Sequence, residues 1–577
     1  MRKETRRIWL PAVFLLLAAI SCQKKEEPLT VNESGHKVSV TFKAVEVQDA
    51  DSKATFGNLA SYGYPVLWEE TDVAGVTVDY ASSYQEASIT PSSDALYGTF
   101  KANLVAPSGG PFEVQATVPK HALASYNPSA STVTVNIPAS QTPTATGPDP
   151  MAMILVGEKE LDAIPAADED IELPFHHATA YGCVTLTNLP TDAEVDAIDL
   201  VFGVPITGKW DYSPSAQSMT EKVPSNIVTL HTKSVQNVFF ACAPGNLKGQ
   251  SLKIRLITVN GVYEHAITID KDVAFRSGRL SKFTINMSEA SKKTSVSILG
   301  IGHSYAVDSY RYLYGCLAQM GYTDIVLGVM FKGNCSLKQH VTYYHNGKGH
   351  EIYHKNTDGT WVQYKNPVLS TVLNERDWDY ITMQECLEGS GQPSYFDPWL
   401  DELTDIVRNH QPSSKLFYNL LWTLDKVYTG PIPDTFYAPY NYDQMTMYNA
   451  YISTTQNTVM PTGIFSEVIP MGTAVQNLRT TYLEDVLTRD TYHMSYKYGR
   501  VLTALMMCRV FCNETIADVT YTGGYSLTDE EIALIKEALE NAYVAPYKIT
   551  PHGQSPTPGP GAFPAELPET IVWDDLD

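Results

Sequence analysis

Val296-Ser297-Ile298-Leu299-Gly300-Ile301-Gly302-His303-Ser304-Tyr305 is the stretch that decides the fold of the C-terminal half. Val296 to Ile301 is a continuous run of apolar residues and glycine, the pattern of a strand buried on both faces. Tyr310, Leu313, Leu317 and Met320 then recur near helical spacing. Strand followed by helix repeats downstream: strands are expected over 380–383, 415–421 and 467–471, and helices over 399–409, 499–511 and 529–542. The last helix opens on Thr528-Asp529-Glu530-Glu531, a capping-box pattern, with Ile532, Ile535 and Leu539 along one face. Alternating strands and helices imply a parallel sheet covered by helices. Ser304 stands where such a sheet ends its first strand, the place at which open parallel sheets bind ligands.

Working back from 295, the chain changes character. Val38-Ser39-Val40-Thr41-Phe42, Val133-Thr134-Val135-Asn136-Ile137 and Leu252-Lys253-Ile254-Arg255-Leu256 each alternate with period two. Short strands separated by Gly, Pro, Ser, Asn and Asp recur from 36 to 288, without a long helical period, which reads as all-β sandwiches. The stretch Gln141-Thr142-Pro143-Thr144-Ala145-Thr146-Gly147-Pro148 suggests a division, giving sandwiches over 36–150 and 151–290 and an α/β domain over 295–547. The Pro/Gly-rich, acidic segment 548–577 reads as an unstructured tail.

Apolar residues make up 44% and charged residues 18% of the 577, a globular balance. Lys and Arg number 41 against 64 Asp and Glu, a net charge of −23, which argues against a nucleic-acid partner. Tyr, at 35 residues against 18 Phe, suits exposed antiparallel sheet and carbohydrate-facing surfaces. The cysteines beyond the N-terminus are scattered and do not form a disulfide framework; Cys508 and Cys512, four apart on an expected helix, read as buried small apolar residues.

The N-terminus carries an address. Arg2, Lys3, Arg6 and Arg7 precede an apolar run from Ile8 to Ile20, too short and wrongly flanked for a spanning helix. Ala19-Ile20-Ser21-Cys22 resembles a lipobox, the bacterial lipoprotein signal cleaved before its cysteine. That resemblance implies a signal peptide over 1–21, a lipid on Cys22 and a linker over 22–35. The acidic residues after Gln23-Lys24-Lys25 resemble a surface-export signal of Bacteroidota lipoproteins and imply the outer membrane, facing outward.

Ser304 has two chemical companions far downstream. Thr488-Arg489-Asp490-Thr491-Tyr492-His493 lies just before a helix. Ser304, Asp490 and His493 supply nucleophile, orienting carboxylate and base, and a serine hydroxyl needs such a base at neutral pH. Together, at opposite ends of one α/β domain, they resemble the SGNH (GDSL-like) hydrolases. Ile301-Gly302-His303-Ser304-Tyr305, Gly333-Asn334-Cys335-Ser336-Leu337, Trp378-Asp379-Tyr380-Ile381-Thr382-Met383-Gln384, Ile469-Pro470-Met471-Gly472 and Asp490-Thr491-Tyr492-His493 resemble, in order, an SGNH-like family of Bacteroidota lipoproteins. This resemblance implies a three-layer, flavodoxin-like α/β fold and a serine esterase without cofactor. It also implies an oxyanion site built from the Ser304 and Gly333 backbone N–H groups and a side-chain amide. The superfamily's Gly-x-Asn-Asp block is absent, and Gln384 stands at the equivalent strand end. His303 occupies a position where the superfamily has Asp.

Lys53-Ala54-Thr55-Phe56, Leu67 to Val76, Ile137-Pro138-Ala139-Ser140-Gln141, Leu173 to Ala180 and Arg276-Ser277-Gly278-Arg279-Leu280 resemble, in that order, the fimbrillin (Mfa-like) tandem of β-sandwiches. The resemblance implies structural or adhesive modules and fimbrial or surface-complex partners. His340, following the Gly333 block, and Trp422, ending a strand at the same sheet edge, are candidate pocket residues, Trp422 as a sugar-stacking platform. His340, His345, His350 and His354 lack a spacing that completes a zinc site, so no metal is expected. The expected activity is hydrolysis of O-acyl esters, acetyl above all, on carbohydrates. The alternative is a non-catalytic adhesive protein whose α/β domain binds glycan.

Overall fold

The computed structural model describes residues 38–46, 67–104, 111–165, 169–191, 193–430 and 432–557. The signal peptide, Cys22, the 22–35 linker, the Lys53 to Phe56 motif and the tail beyond 557 lie outside them. The N-terminal part is all β. An eight-stranded sheet contains the strands Val38–Glu46, Val73–Val78, Phe112–Val118, Leu155–Leu161 and Asp170–His177. Its buried side chains, among them Phe42, Phe100, Phe112 and Phe175, form one core, and Ile198, Leu230, Phe240 and Ile254 belong to a second.

The division at 150 is not where the strands divide. Leu155–Leu161 and Asp170–His177 pair within the first sheet. Thr132–Ile137 in turn pairs with Thr207–Ser213. The stretch at 141–148 resembles a linker in composition, yet Gln141 is buried, donating to the Pro138 and Ala241 carbonyls. Alternation marks each strand correctly but carries no information about its partner.

The C-terminal part is mixed α/β. In chain order it contains β1 (Ser295–Gly302), α1 (Ser304–Tyr310), α2 (Leu313–Gln319), β2 (Asp324–Phe331), α3 (Leu337–His345), β3 (Ile352–Asn356), β4 (Trp361–Lys365), α4 (Leu369–Leu373) and β5 (Tyr380–Met383). It continues with α5 (Trp399–His410), β6 (Lys415–Asn419), α6 (Gln444–Thr454), β7 (Glu467–Ile469), α7 (Met471–Arg479), α8 (Gly499–Cys512) and α9 (Asp529–Val544). The sheet order is β4-β3-β2-β1-β5-β6-β7. Neighbours from β2 to β7 are parallel, and β3 and β4 are an antiparallel extension at one edge. The order reverses between β1 and β5, which opens a crevice at the carboxyl ends of those two strands. The capping box at Thr528 and Glu531 forms as the sequence predicts. Residues 548–557, expected to belong to an unstructured tail, are held instead: Thr550 N–H donates to Asn477 Oδ1 (2.7 Å) and His552 Nδ1 meets Glu537 (2.8 Å).

The second β core meets the opposite end of this sheet. Arg255 is buried and bridges Glu264 and Asp379, each at 2.9 Å. Asp379 directly precedes β5 and accepts the Ser297 N–H of β1. Lys415, the first residue of β6, contacts Asp199 at 3.4 Å and Glu467 at 3.3 Å. These buried ion pairs occupy the amino ends of the parallel strands, so the carboxyl ends face away from the junction. Arg255→Ala leaves Asp379 with Lys293 as its remaining cationic partner. We expect a loss of about 3 kcal/mol in urea unfolding and faster proteolysis at the junction; unchanged stability would mean that the pair is not needed for docking.

Candidate functional site

Ser304 is the first residue of α1, placed by the close of β1. Its Oγ–H donates to His493 Nε2 at 2.8 Å, and His493 Nδ1–H donates to Asp490 Oδ2 at 2.7 Å. The three side chains singled out in the sequence are therefore joined, in the order hydroxyl, imidazole, carboxylate. Partial burial pushes the Asp490 carboxyl upward, but the His493 hydrogen bonds outweigh it and hold it below the usual carboxylate range. The carboxylate thus stays ionised and fixes the Nδ1–H tautomer.

Asp-x-x-His works here as a tight turn. Asp490 Oδ1 accepts the His493 N–H (2.8 Å), and Arg489 N–H donates to the His493 carbonyl (2.9 Å). Thr491 sits at φ +72°, a left-handed conformation that costs a β-branched residue energy. The turn is clamped from outside: Trp422 Nε1–H donates to the Tyr492 carbonyl (2.7 Å) and Asp425 N–H to the Thr491 carbonyl (2.9 Å). Tyr492 lies 3.9 Å from the His493 ring, and Tyr305 meets it edge-on at 6.1 Å.

A residue that the sequence reading passed over ties the two halves together. Asp308, one turn after Ser304 on α1, is 1% exposed. It accepts Arg489 Nη1 (2.9 Å), Arg500 Nη2 (2.6 Å) and the Met494 N–H (3.0 Å). The helix that carries Ser304 is thereby pinned to the turn that carries His493. The available signal was a carboxylate four residues from Ser304, on the same face of a helix otherwise apolar there.

The other candidates divide. Gln384 directly follows β5 and lies beside Gly302, where a Cβ would meet its Cδ at 2.8 Å, so glycine is what allows the approach. Its Oε1 accepts from Asn419 Nδ2 (3.2 Å), while its buried Nε2 has no partner among the described residues. Gly333, expected to offer its N–H, donates it to Glu351 Oε2 at 3.3 Å. Trp422 is not a platform: it is fully buried and stacked on Tyr305 at 3.9 Å and 7°. An indole against a phenol ring fills the space under the turn, which removes it from any sugar.

His303 is likewise buried and does not reach a surface. It caps α1, its Nδ1 accepting the Tyr305 N–H (3.4 Å) and its Nε2–H donating to the Glu385 carbonyl (3.1 Å). Asp is favoured at such a cap too. Burial pushes the His303 pKa down to about 3. Below an ordinary value of about 6.5, the unfolded chain takes up a proton that the folded chain refuses, so stability falls as pH drops toward about 3. His303→Asn keeps a cap without the titration. Its urea-unfolding free energy should lose part of that slope, on the order of 3 kcal/mol between neutral pH and pH 4; an identical slope would exclude a neutral buried His303.

His340 is fully buried and does not line an open pocket: its Nδ1 and His350 Nε2 are 2.8 Å apart. Cys335 joins them, one donor atom from each lying within 4.8 Å of the others. The histidines that looked unrelated by spacing are thus partly assembled, by α3 and the loop that follows it.

Residues 297–537 match the family described as Domain of unknown function (DUF4886). A solved DUF4886 family protein from Bacteroides uniformis is 26% identical, with 45% of this chain and 98% of that one covered and a TM-score of 0.42. A candidate SGNH hydrolase from Slackia heliotrinireducens is 14% identical over 37% of this chain and 98% of its own, with a TM-score of 0.26. A candidate cell adhesion protein from Bacteroides uniformis is 14% identical over 44% of this chain and 96% of its own, with a TM-score of 0.30. No curated protein matches the chain. Among the described residues no helix is long and apolar enough to cross a membrane.

Proposed function

We propose that this chain is a serine ester hydrolase acting on O-acyl groups, acetyl above all, carried by carbohydrates. The observation that carries the reading is the Ser304–His493–Asp490 relay, with contacts of 2.8 and 2.7 Å. Ser304 Oγ attacks the ester carbonyl carbon while His493 Nε2 takes its proton. The tetrahedral oxyanion is held by the Ser304 backbone N–H and, once its buried amide turns into the crevice, by the unpartnered Nε2 of Gln384. Collapse breaks the bond to the alcohol, which leaves with the proton from His493. Water, deprotonated in turn by His493, releases the acid and restores Ser304. A third donor from Gly333 requires its N–H to leave Glu351.

The carbohydrate part is supported by a run of rings leading outward from His493. Tyr492 is followed by Tyr428 at 5.9 Å, Tyr437 at 6.1 Å and Tyr442 at 6.0 Å. Tyr442 is 52% exposed and offers a face to a sugar. Lipidation at Cys22 would hold the enzyme at the outer membrane, facing acylated glycans outside the cell. The engagement of the Gly333 N–H by Glu351 favours a second reading, a glycan-binding domain without turnover. Acetate release from an acetylated oligosaccharide separates them. We expect release by the wild type. Binding of the oligosaccharide without release, unchanged in Ser304→Ala, would establish the second reading.

A further inference from the structure

The cluster of Cys335, His340 and His350 is independent of the serine site and of the function proposed for it. Its placement follows from the local fold. Ser336 caps α3 by accepting the Gln339 N–H at 3.2 Å. Cys335 is therefore the residue before the cap and His340 the fourth residue of the helix, two positions whose side chains face one another in a capped helix. His350, in the connection from α3 to β3, is held by its N–H on the Pro367 carbonyl at 2.8 Å. Its ring stacks on His340, with centroids 5.0 Å apart.

Hydrogen bonding alone leaves this cluster unfinished. Two neutral imidazoles 2.8 Å apart share one hydrogen. His340 Nε2 and His350 Nδ1 then have no partner among the described residues, and both rings are 0% exposed. Cys335 Sγ lies 3.8 Å from the Ser336 carbonyl, a weak contact. Leaving buried polar atoms unpaired costs roughly 1–3 kcal/mol each. A thiol and two imidazoles are the donor set of a borderline-soft cation such as zinc, three protein ligands with the fourth position left for water. The buried Glu385 carboxyl, its pKa pushed up to about 7 by burial, lies at the same helix start and accepts the Leu337 N–H at 3.3 Å, and the nearby Lys332 is 3.5 Å from Glu351.

We propose that Cys335, His340 and His350 bind one zinc ion that fixes the start of α3 to the connection preceding β3. Binding releases the thiol proton to solvent and moves the hydrogen shared between the rings to the other nitrogen of the ring that carries it, so both imidazoles stay neutral; it needs the donors to contract to metal–ligand lengths of about 2.0–2.3 Å. The ion is structural, so ester hydrolysis does not pass through it.

The test uses untagged protein of residues 23–577, dialysed against metal-free buffer and loaded with zinc alone. Near-stoichiometric retained zinc by elemental analysis is expected, falling by more than about tenfold in Cys335→Ser and in His340→Ala. Because His340→Ala removes a fully buried ring, cobalt is loaded into wild type and Cys335→Ser in parallel. Wild type should give a thiolate-to-cobalt charge-transfer band with intense tetrahedral d–d absorption, and Cys335→Ser should lose the former while keeping its circular dichroism. Absent zinc, or zinc retained equally by a folded Cys335→Ser, would overturn the proposal and leave a hydrogen-bonded histidine pair. Neither result bears on Ser304.

Discussion

Changing Ser304 to alanine lowers ester hydrolysis on the order of 10⁴- to 10⁶-fold, the loss expected when a relay loses its nucleophile. Folding stability should move by less than about 1 kcal/mol, because Ser304 is only partly buried and its Oγ has the His493 ring as its partner. His493→Ala should fall as far, and the double variant no further, since residues that act as a unit lose their effect together. Steady-state kinetics on an aryl acetate and on an acetylated oligosaccharide check all three. Additive losses in the double variant would mean that Ser304 and His493 act separately. The residual rate reports what the Ser304 N–H and Gln384 contribute by themselves, and Gln384→Ala should cost a further 10²-fold or so in the wild-type background if its amide meets the oxyanion.

The second large effect belongs to Asp308. Asp308→Ala strands the Arg489 and Arg500 guanidinium groups and the Met494 N–H around a buried site. Breaking such an arrangement from one side costs about 3–5 kcal/mol. Asp308→Asn is the gentler variant and the more informative one. It keeps the volume and some acceptors, but loosens the link between α1 and the turn carrying His493. A displacement of about an ångström between reacting groups can cost 10²-fold. We therefore expect kcat to fall about 10- to 100-fold with KM nearly unchanged, measured well below the melting temperature. A variant that melts earlier yet turns over normally when folded would make Asp308 a stability residue without a role in aligning the relay.

Much of the candidate site was legible because its chemistry is local in type even though its members are far apart. A serine after an apolar strand, and an Asp-x-x-His before a helix, each announce an element boundary, and the parallel sheet brings those boundaries to one edge. Asp308 was less visible, since its meaning depends on two arginines about 180 and 190 residues later. Trp422 was misread for a related reason. An aromatic at a strand end is exposed or buried according to what packs on it, and here Tyr305 does. Gln384 follows β5 at the position the sequence suggested, but its enclosure beside Gly302 depends on how closely β1 and β5 approach. The β half shows the same limit. Its strands were marked by alternation, whereas the exchange of partners across residue 150 is a long-range choice that period-two patterns do not encode. The contact between His340 and His350 was not visible in their spacing, because a capped helix and the loop after it bring the two rings together.

The central claim is that Ser304 is an activated nucleophile. The most direct measurement is covalent labelling by a serine-directed fluorophosphonate, with the modified peptide located by mass spectrometry. An activated Ser304 requires a single adduct on that residue, formed quickly in the wild type, lost in Ser304→Ala and strongly slowed in His493→Ala. Absence of an adduct on a folded protein, or an adduct on another residue that persists in Ser304→Ala, would contradict it.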